Sequence, residues 1–343
     1  MITNSIHNDR RSVGRWLIFM AMIVALMVVV GGATRLTESG LSMVDWRPVT
    51  GVLPPIGESE WQAEFEKYQT SPEYQLKNKG MSLDEFKGIF YWEWGHRLLG
   101  RLIGLFFFLP LVWFWFKDRI PNGYKPRLVF LLIAGGSQGL LGWYMVQSGL
   151  VDEPAVSHYR LTAHLSLALF IFAALLWTAF SLYRPRPAGS SKGMKLLTHA
   201  TMAVLVLQLV MGGLVAGLKA GHIFNTWPLM GETFVPNGLF DITPVWRNFL
   251  DNAITVQFDH RIGAYIFSLF VIGLFLKSRR EVPAIKFAAM LVLLATALQF
   301  ILGIIMLLKV VPVSWGTAHQ GGGVVVLATM VYLMHLQRKF EAK

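Results

Sequence analysis

"YWEWGHRLLGRLIG" (residues 91–104) reads as the opening of a membrane-spanning helix, yet it carries Glu93, His96, Arg97 and Arg101. Ionisable groups within a span are costly and face a bundle interior or a cavity rather than lipid. Glu93, His96 and Arg97 stand three and four residues apart, so one helix face gathers all three. The stretch therefore predicts a helix of a bundle whose interior does chemistry.

The rest of the chain agrees with a membrane bundle. It has 343 residues, of which 54% are hydrophobic and 15% charged, against about 25% charged in soluble domains. No cysteine is present, which excludes disulfides and thiolate metal sites. Eight apolar runs near span length lie close to residues 16–34, 92–116, 128–148, 160–182, 196–217, 256–276, 287–308 and 315–336. The first follows a basic flank with no small-residue cleavage site and reads as an uncleaved helix.

Charge placement orients the spans. Arg10, Arg11 and Arg15 precede the first; Lys117, Arg119, Lys125 and Arg127 join the second and third. Arg184, Arg186, Lys192 and Lys195 follow the fourth, Lys277, Arg279, Arg280 and Lys286 the sixth, and Arg338, Lys339 and Lys343 the eighth. The same segments hold four acids, Asp9, Asp118, Glu281 and Glu341. Both termini are thus expected in the cytoplasm. The formal charge of +11 reflects topology and gives no nucleic-acid footprint. With that orientation His96, His164, His260 and His319 all fall in the outer turns of spans two, four, six and eight.

The two halves resemble each other. "VVVGGATRLTESG" (28–40) parallels "LVMGGLVAGLKAG" (209–221), and "GHRLLG" (95–100) parallels "DHRIG" (259–263). "SQGLLG" (137–142) parallels "LQFILG" (298–303), and "LTAH" (161–164) parallels "GTAH" (316–319). The matches keep their order, and both halves enter from the cytoplasm, so the repeat is parallel. Residues 1–184 and 185–343 form the two expected four-helix units.

Each unit carries two histidines at one depth on alternate helices. Facing helices of a bundle build cofactor sites, and two imidazoles suit the axial positions of a haem iron; zinc asks for more ligands. Arg97 and Arg261 follow the first histidine of each pair. They suit haem propionates, or they snorkel to the interface. His7 and His335 lie toward the cytoplasm and read as structural, whereas His158 and His222 sit on outer loops. The halves differ at one place: Glu93 stands one turn before His96, while Gln257 precedes His260. A carboxylate beside a macrocycle can take a proton or stabilise positive charge; otherwise Glu93 simply pairs with Arg97. The asymmetry points to a substrate site in the first half and an electron-handling haem in the second.

The outer loop from Arg35 to Tyr91 contains two further helix signals. "SEWQAEFEKYQ", starting at Ser59, puts Trp61, Phe65 and Tyr68 on one face, and Ser82 with Glu85 forms a capping box leading into span two. These elements either cover the bundle or anchor at the interface.

Together, "GGATRLTESGLSMVDW", "EWGHRLLGR", "TAHLSLAL", "NTWPLM", "QFDHRIGAY" and "GTAHQ" make the chain resemble the haem A synthase family over nearly its whole length. The resemblance implies oxidation of a ring methyl of haem O to a formyl group by successive hydroxylations and loss of water. It implies substrate haem O at His96 and His164, Glu93 as the catalytic carboxylate, and a haem b cofactor at His260 and His319. The cysteine pair of some family members is absent, which removes any thiol role for the first outer loop. A bacterial inner membrane is the expected location. The farnesylating haem O synthase and further copies of the chain are the candidate protein partners. The competing readings are a two-haem b-type electron carrier and a haem transporter or assembly chaperone.

Overall fold

The computed structural model describes residues 2–47, 51–151, 154–183 and 188–338, with side chains from residue 9 onward. The boundary between the two expected units, at 184 and 185, lies outside the described residues, as do Arg186, Lys339, Glu341 and Lys343. Among the described residues the chain is helical without a named strand. Its helices are α1 (Ile2–Leu36), α2 (Glu58–Gln69), α3 (Pro72–Leu76), α4 (Leu83–Phe116), α5 (Lys125–Gln147) and α6 (His158–Tyr183). They continue with α7 (Lys192–Gly217), α8 (Asn248–Asp251), α9 (Ala253–Ser278), α10 (Pro283–Leu308) and α11 (Val313–Leu336).

A long helix stands at each of the eight apolar runs. Seven of them, all but α11, are long and apolar enough to cross a membrane. Helix α11 has comparable length, but Ser314, Thr317, His319, Gln320 and three consecutive glycines dilute its first turns. Large apolar side chains such as Phe106, Phe108, Trp113, Leu269 and Leu294 point outward, as lipid contact requires. The chain is a multi-pass, all-α membrane protein.

Helix starts follow local chemistry. Ser82 and Glu85 form the expected capping box on α4. Ser191 caps α7 through Met194 N, and the Asn252 side chain accepts from Ile254 N and Thr255 N at the start of α9. Helix α4 begins nine residues before its apolar run because that box nucleates it early. At 34 residues it rises about 51 Å, well beyond a hydrocarbon core of about 30 Å. Its first turns therefore stand outside the membrane.

Helix α1 packs on α4, α6 and α11, and α5 on α4 and α6. Helix α7 packs on α6, α9 and α11, while α10 contacts α9 and α11, and α6 contacts α11. The N-terminal part of α1 and the C-terminal parts of α6 and α11 are tightly filled by Leu17, Met20, Leu175, Ala179, Met330 and Leu333. His335 belongs to this core: it is fully buried, bonded to Ser181 Oγ at 3.2 Å and packed on Trp177 and Phe180. The space for a ligand lies toward the other end of the bundle.

The helix over Trp61, Phe65 and Tyr68 forms as α2, starting at Glu58 behind Gly57 rather than at Ser59. Its aromatic face settles on the protruding part of α4. Tyr68 stacks on Phe86 with centroids 5.0 Å apart, and Trp61 meets Phe90 edge-on at 5.0 Å. The face therefore covers the bundle rather than anchoring in lipid. The short α3, which the loop sequence did not announce, is capped by Ser71.

Candidate haem sites

Each of the four outer-turn histidines meets a glycine on the neighbouring helix. A Cβ added at Gly31 would lie 3.2 Å from the His96 ring, and one at Gly142 2.9 Å from His164. The corresponding distances are 3.3 Å from Gly212 to His260 and 2.9 Å from Gly303 to His319. Each imidazole is thus seated against bare backbone.

Three of the histidines also face a glutamine that the sequence reading did not single out. Gln138 Nε2 donates to the His164 carbonyl at 3.0 Å, and Gln299 Nε2 to the His319 carbonyl at 2.9 Å. Gln208 Nε2 lies 3.0 Å from His260 Nδ1 and donates to the His260 carbonyl at 2.9 Å. The repeat-related position to Gln208 is Met27, whose methyl approaches Gly100 on α4. The first pair of glutamines sat in plain view within the "SQGLLG" and "LQFILG" repeat.

A cavity of about 270 Å³ is lined by both His260 and His319, together with Leu209, Gly212, Phe300 and Gly303. Its wall is mainly apolar, and buried polar atoms without a partner gather around the histidine sites: Gln208 Oε1, Gln299 Oε1, His319 Nδ1 and Arg261 Nε, with His164 Nδ1 and Gln138 Oε1 in the other pair. Such orphaned atoms are uncommon in native interiors and call for a missing partner. Among the described residues no group of three or more His, Asp or Glu could hold a metal ion. Paired imidazoles on glycine-lined apolar walls match a macrocycle that brings its own four equatorial nitrogens.

Glu93 is buried and fully engaged. Its Oε2 accepts from Ser42 Oγ at 2.7 Å and Met43 N at 2.8 Å; its Oε1 accepts from Arg97 Nη2 at 2.6 Å and Nε at 3.0 Å. Arg97 also donates to the carbonyls of Met43 and Asp45, at 2.9 and 3.1 Å. Arg101 Nη2 donates to the Arg47 carbonyl at 2.7 Å. These three side chains thus pin the outer loop onto α4, and the Glu93–Arg97 pair weighed from the sequence is formed. Only 11% of the Arg97 side chain is exposed, so it does not snorkel.

The second site repeats this clamp with a neutral amide. Gln257 Nε2 donates to the Phe224 carbonyl at 2.9 Å, and Arg261 donates to the carbonyls of Phe224, Thr226 and Leu229. Gln257, Arg261 and His222 all line the cavity. His158, by contrast, bonds Asp251 at 3.1 Å beside Tyr159 and Arg247, and it does not line that cavity.

Above Glu93 the lid holds a second buried carboxyl. Glu73 accepts from Tyr68 Oη at 3.2 Å, and Asn78 Nδ2 donates to the same hydroxyl at 2.7 Å. Burial pushes the Glu73 pKa up to about 7, against the Tyr68 bond and with help from the Glu93 charge.

A model of the cytochrome oxidase assembly protein family matches residues 14–331. The chain belongs to that family. Among its curated relatives, the haem A synthase of Parvibaculum lavamentivorans is 50% identical over 95% of this chain and 94% of its own length. That of Rhodospirillum centenum is 48% identical over 96% of this chain and 90% of its own. The Nitrosospira multiformis enzyme is 46% identical, covering 96% and 94%. The match spans every helix that carries a histidine of either pair.

Proposed function

We propose that this protein is a haem A synthase, an oxidoreductase that converts a ring methyl of haem O to the formyl group of haem A. The substrate binds between His96 and His164, and a haem b is held by His260 and His319. Two successive hydroxylations followed by loss of water give the aldehyde. In this reading the chain crosses a bacterial inner membrane eight times as two repeated four-helix units, with both termini in the cytoplasm.

One observation carries the assignment of roles: the buried ion pair Glu93–Arg97 stands one turn from His96, whereas the equivalent pair position beside His260 is the amide Gln257. A carboxylate can exchange a proton with a reacting group at neutral pH, and an amide cannot. The first site therefore has the means for chemistry on its haem. The second has apolar walls, two imidazoles and a glutamine on each, which suits a resident haem. When bound, haem b supplies one-electron transfer. The chain orients its imidazoles through Gln208 and Gln299 and keeps water out with Phe300, Leu209 and the loop that Arg261 ties down.

The test is Glu93→Gln in cells that also make haem O, followed by extraction and separation of the haems. Loss of haem A by about two orders of magnitude or more, with haem B and haem O retained, is the expected result. A variant that still makes haem A at the normal rate would remove Glu93 from the chemistry. Protein carrying haem B alone, in two copies, would instead establish an electron carrier.

A further inference from the structure

One cation at the second cavity comes from the wrong half of the molecule. Arg35 stands on the last turn of α1, yet it lines the cavity that holds His260 and His319. It is only partly exposed, and its guanidinium makes no hydrogen bond among the described residues. Its nearest acid is Glu38, and Glu38 is already paired with Lys219. A guanidinium half-withdrawn from water without an acceptor is unfavourable, so its placement needs an anionic guest. The other arginine at this cavity, Arg261, spends both its terminal nitrogens on loop carbonyls.

The repeat sharpens the point. The position equivalent to Arg35 is Ala216, and the position equivalent to Glu38 is Lys219. Helix α1 thus sends a cation across to the second cavity, while the equivalent position of α7 carries only a methyl group. Gln208 and Met27 differ in the same direction, since His260 has a fixed amide beside it where the equivalent position on α1 carries a thioether. Both of these differences hold the occupant of the second cavity harder than that of the first.

We infer that Arg35 binds a propionate carboxylate of the haem in the second cavity, so that the first half of the chain locks the cofactor into the second half. This rests on the reading of that cavity as the haem b site. Propionates leave the macrocycle at one edge, and α1 ends on the outer side, where His260 and His319 also lie. An arginine there can bond the carboxylate with two parallel N–H groups. The absence of a counterpart at Ala216 leaves the substrate haem without this lock, as a molecule that must depart after oxidation requires.

The experiment measures haem release rather than turnover. Wild-type protein and Arg35→Gln, each loaded with haem B or with its dimethyl ester, are mixed with excess apomyoglobin and the loss of haem is timed. Arg35→Gln should release haem B about ten to a hundred times faster, the worth of a charge-assisted bond. Esterification should do the same to the wild type, and should add little to the variant. Arg35→Lys should fall between, and the ester comparison on the wild-type chain stands even where Arg35→Gln folds poorly. Effects of substitution and esterification that simply multiply, or equal release rates, would overturn the inference; a lipid phosphate as the true partner of Arg35 gives that multiplying pattern. Wild-type protein that carries no haem B sinks the haem b reading and this inference together, whereas bound haem B whose release ignores Arg35 sinks this inference alone.

Discussion

Replacing Gly303 by alanine should eject the haem proposed for the second site, and the distances say by how much it should differ from its neighbours. A Cβ at Gly303 falls 2.9 Å from His319 Cε1, whereas one at Gly212 falls 3.3 Å from His260 Cε1. Carbon atoms pack best at about 3.5–4.0 Å, so the first substitution is short by roughly 0.6 Å and the second by only about 0.2 Å. The His319 ring has little room to yield, because Gln299 holds its backbone carbonyl at 2.9 Å. Overpacking of this kind costs about 1–3 kcal/mol, up to roughly a hundredfold in ligand affinity. Gly273, with nothing within 4 Å of its added Cβ, serves as a control that should gain up to about 1 kcal/mol in helix propensity. The assay is haem B content per chain after purification, with the low-spin spectrum and the melting temperature read in parallel. Gly303→Ala should lose most of its haem B, Gly212→Ala should keep most of it, and Gly273→Ala should match the wild type or melt later. Equal haem content in Gly303→Ala and Gly212→Ala would show that the glycines are not what seats the imidazoles.

Two further outcomes concern the lid. Because Glu73 moves from 4.5 to about 7 on folding, the folded lid binds a proton that the opened lid has released. Its stability should therefore be greatest below about pH 4.5 and fall as pH rises to about 7, by an amount of order 3 kcal/mol. Glu73→Gln should abolish that slope in hydrogen exchange of residues 58–81 and protect the lid at pH 8; an unchanged slope would put the titration elsewhere. Phe86 is fully buried between Tyr68, Phe65 and Trp61, so Phe86→Ala should cost about 3–5 kcal/mol. Limited proteolysis from the outer side should then cut the 58–81 segment while the helical core stays intact, and resistance equal to the wild type would argue against this docking.

The features legible in the sequence are those whose cause is local or periodic. Length and apolarity reveal the spans; Ser82 and Glu85 reveal the start of α4; the internal repeat reveals that four histidines come as two pairs. What stayed hidden depends on which helix becomes whose neighbour. Gln138 and Gln299 occupy matched positions of the repeat, but a glutamine in an apolar run carries no sign of its partner until α6 and α11 are placed beside it. Arg97 gives two of its bonds, and Arg261 all of its own, to backbone carbonyls, and a carbonyl acceptor leaves no trace in residue identity. Arg35 reads as an ordinary interfacial residue at the end of α1 until the packing of α1 on α11 turns it toward the other half.

The engagement of Glu93 on all sides bears on how it can handle a proton at all. An ionised carboxylate offers about four acceptor positions, and here Ser42, Met43 and two nitrogens of Arg97 take them. A proton arriving on Oε1 would meet the guanidinium, which only donates, so Oε1 stays bare. On Oε2 the partners differ in kind. The Met43 amide can only donate, but the Ser42 hydroxyl can also accept. Ser42 Oγ already lies 3.2 Å from the Ser39 carbonyl and 3.4 Å from the Ile89 carbonyl, either of which can take its hydrogen. Rotation of that one hydroxyl therefore lets Glu93 donate where it had accepted, with the loop still pinned by Arg97. The lid need not open for the carboxylate to change protonation state. At the second site Gln257 donates to Phe224, and its oxygen has no partner; the loop there is held just as firmly, but by an amide that cannot take the proton.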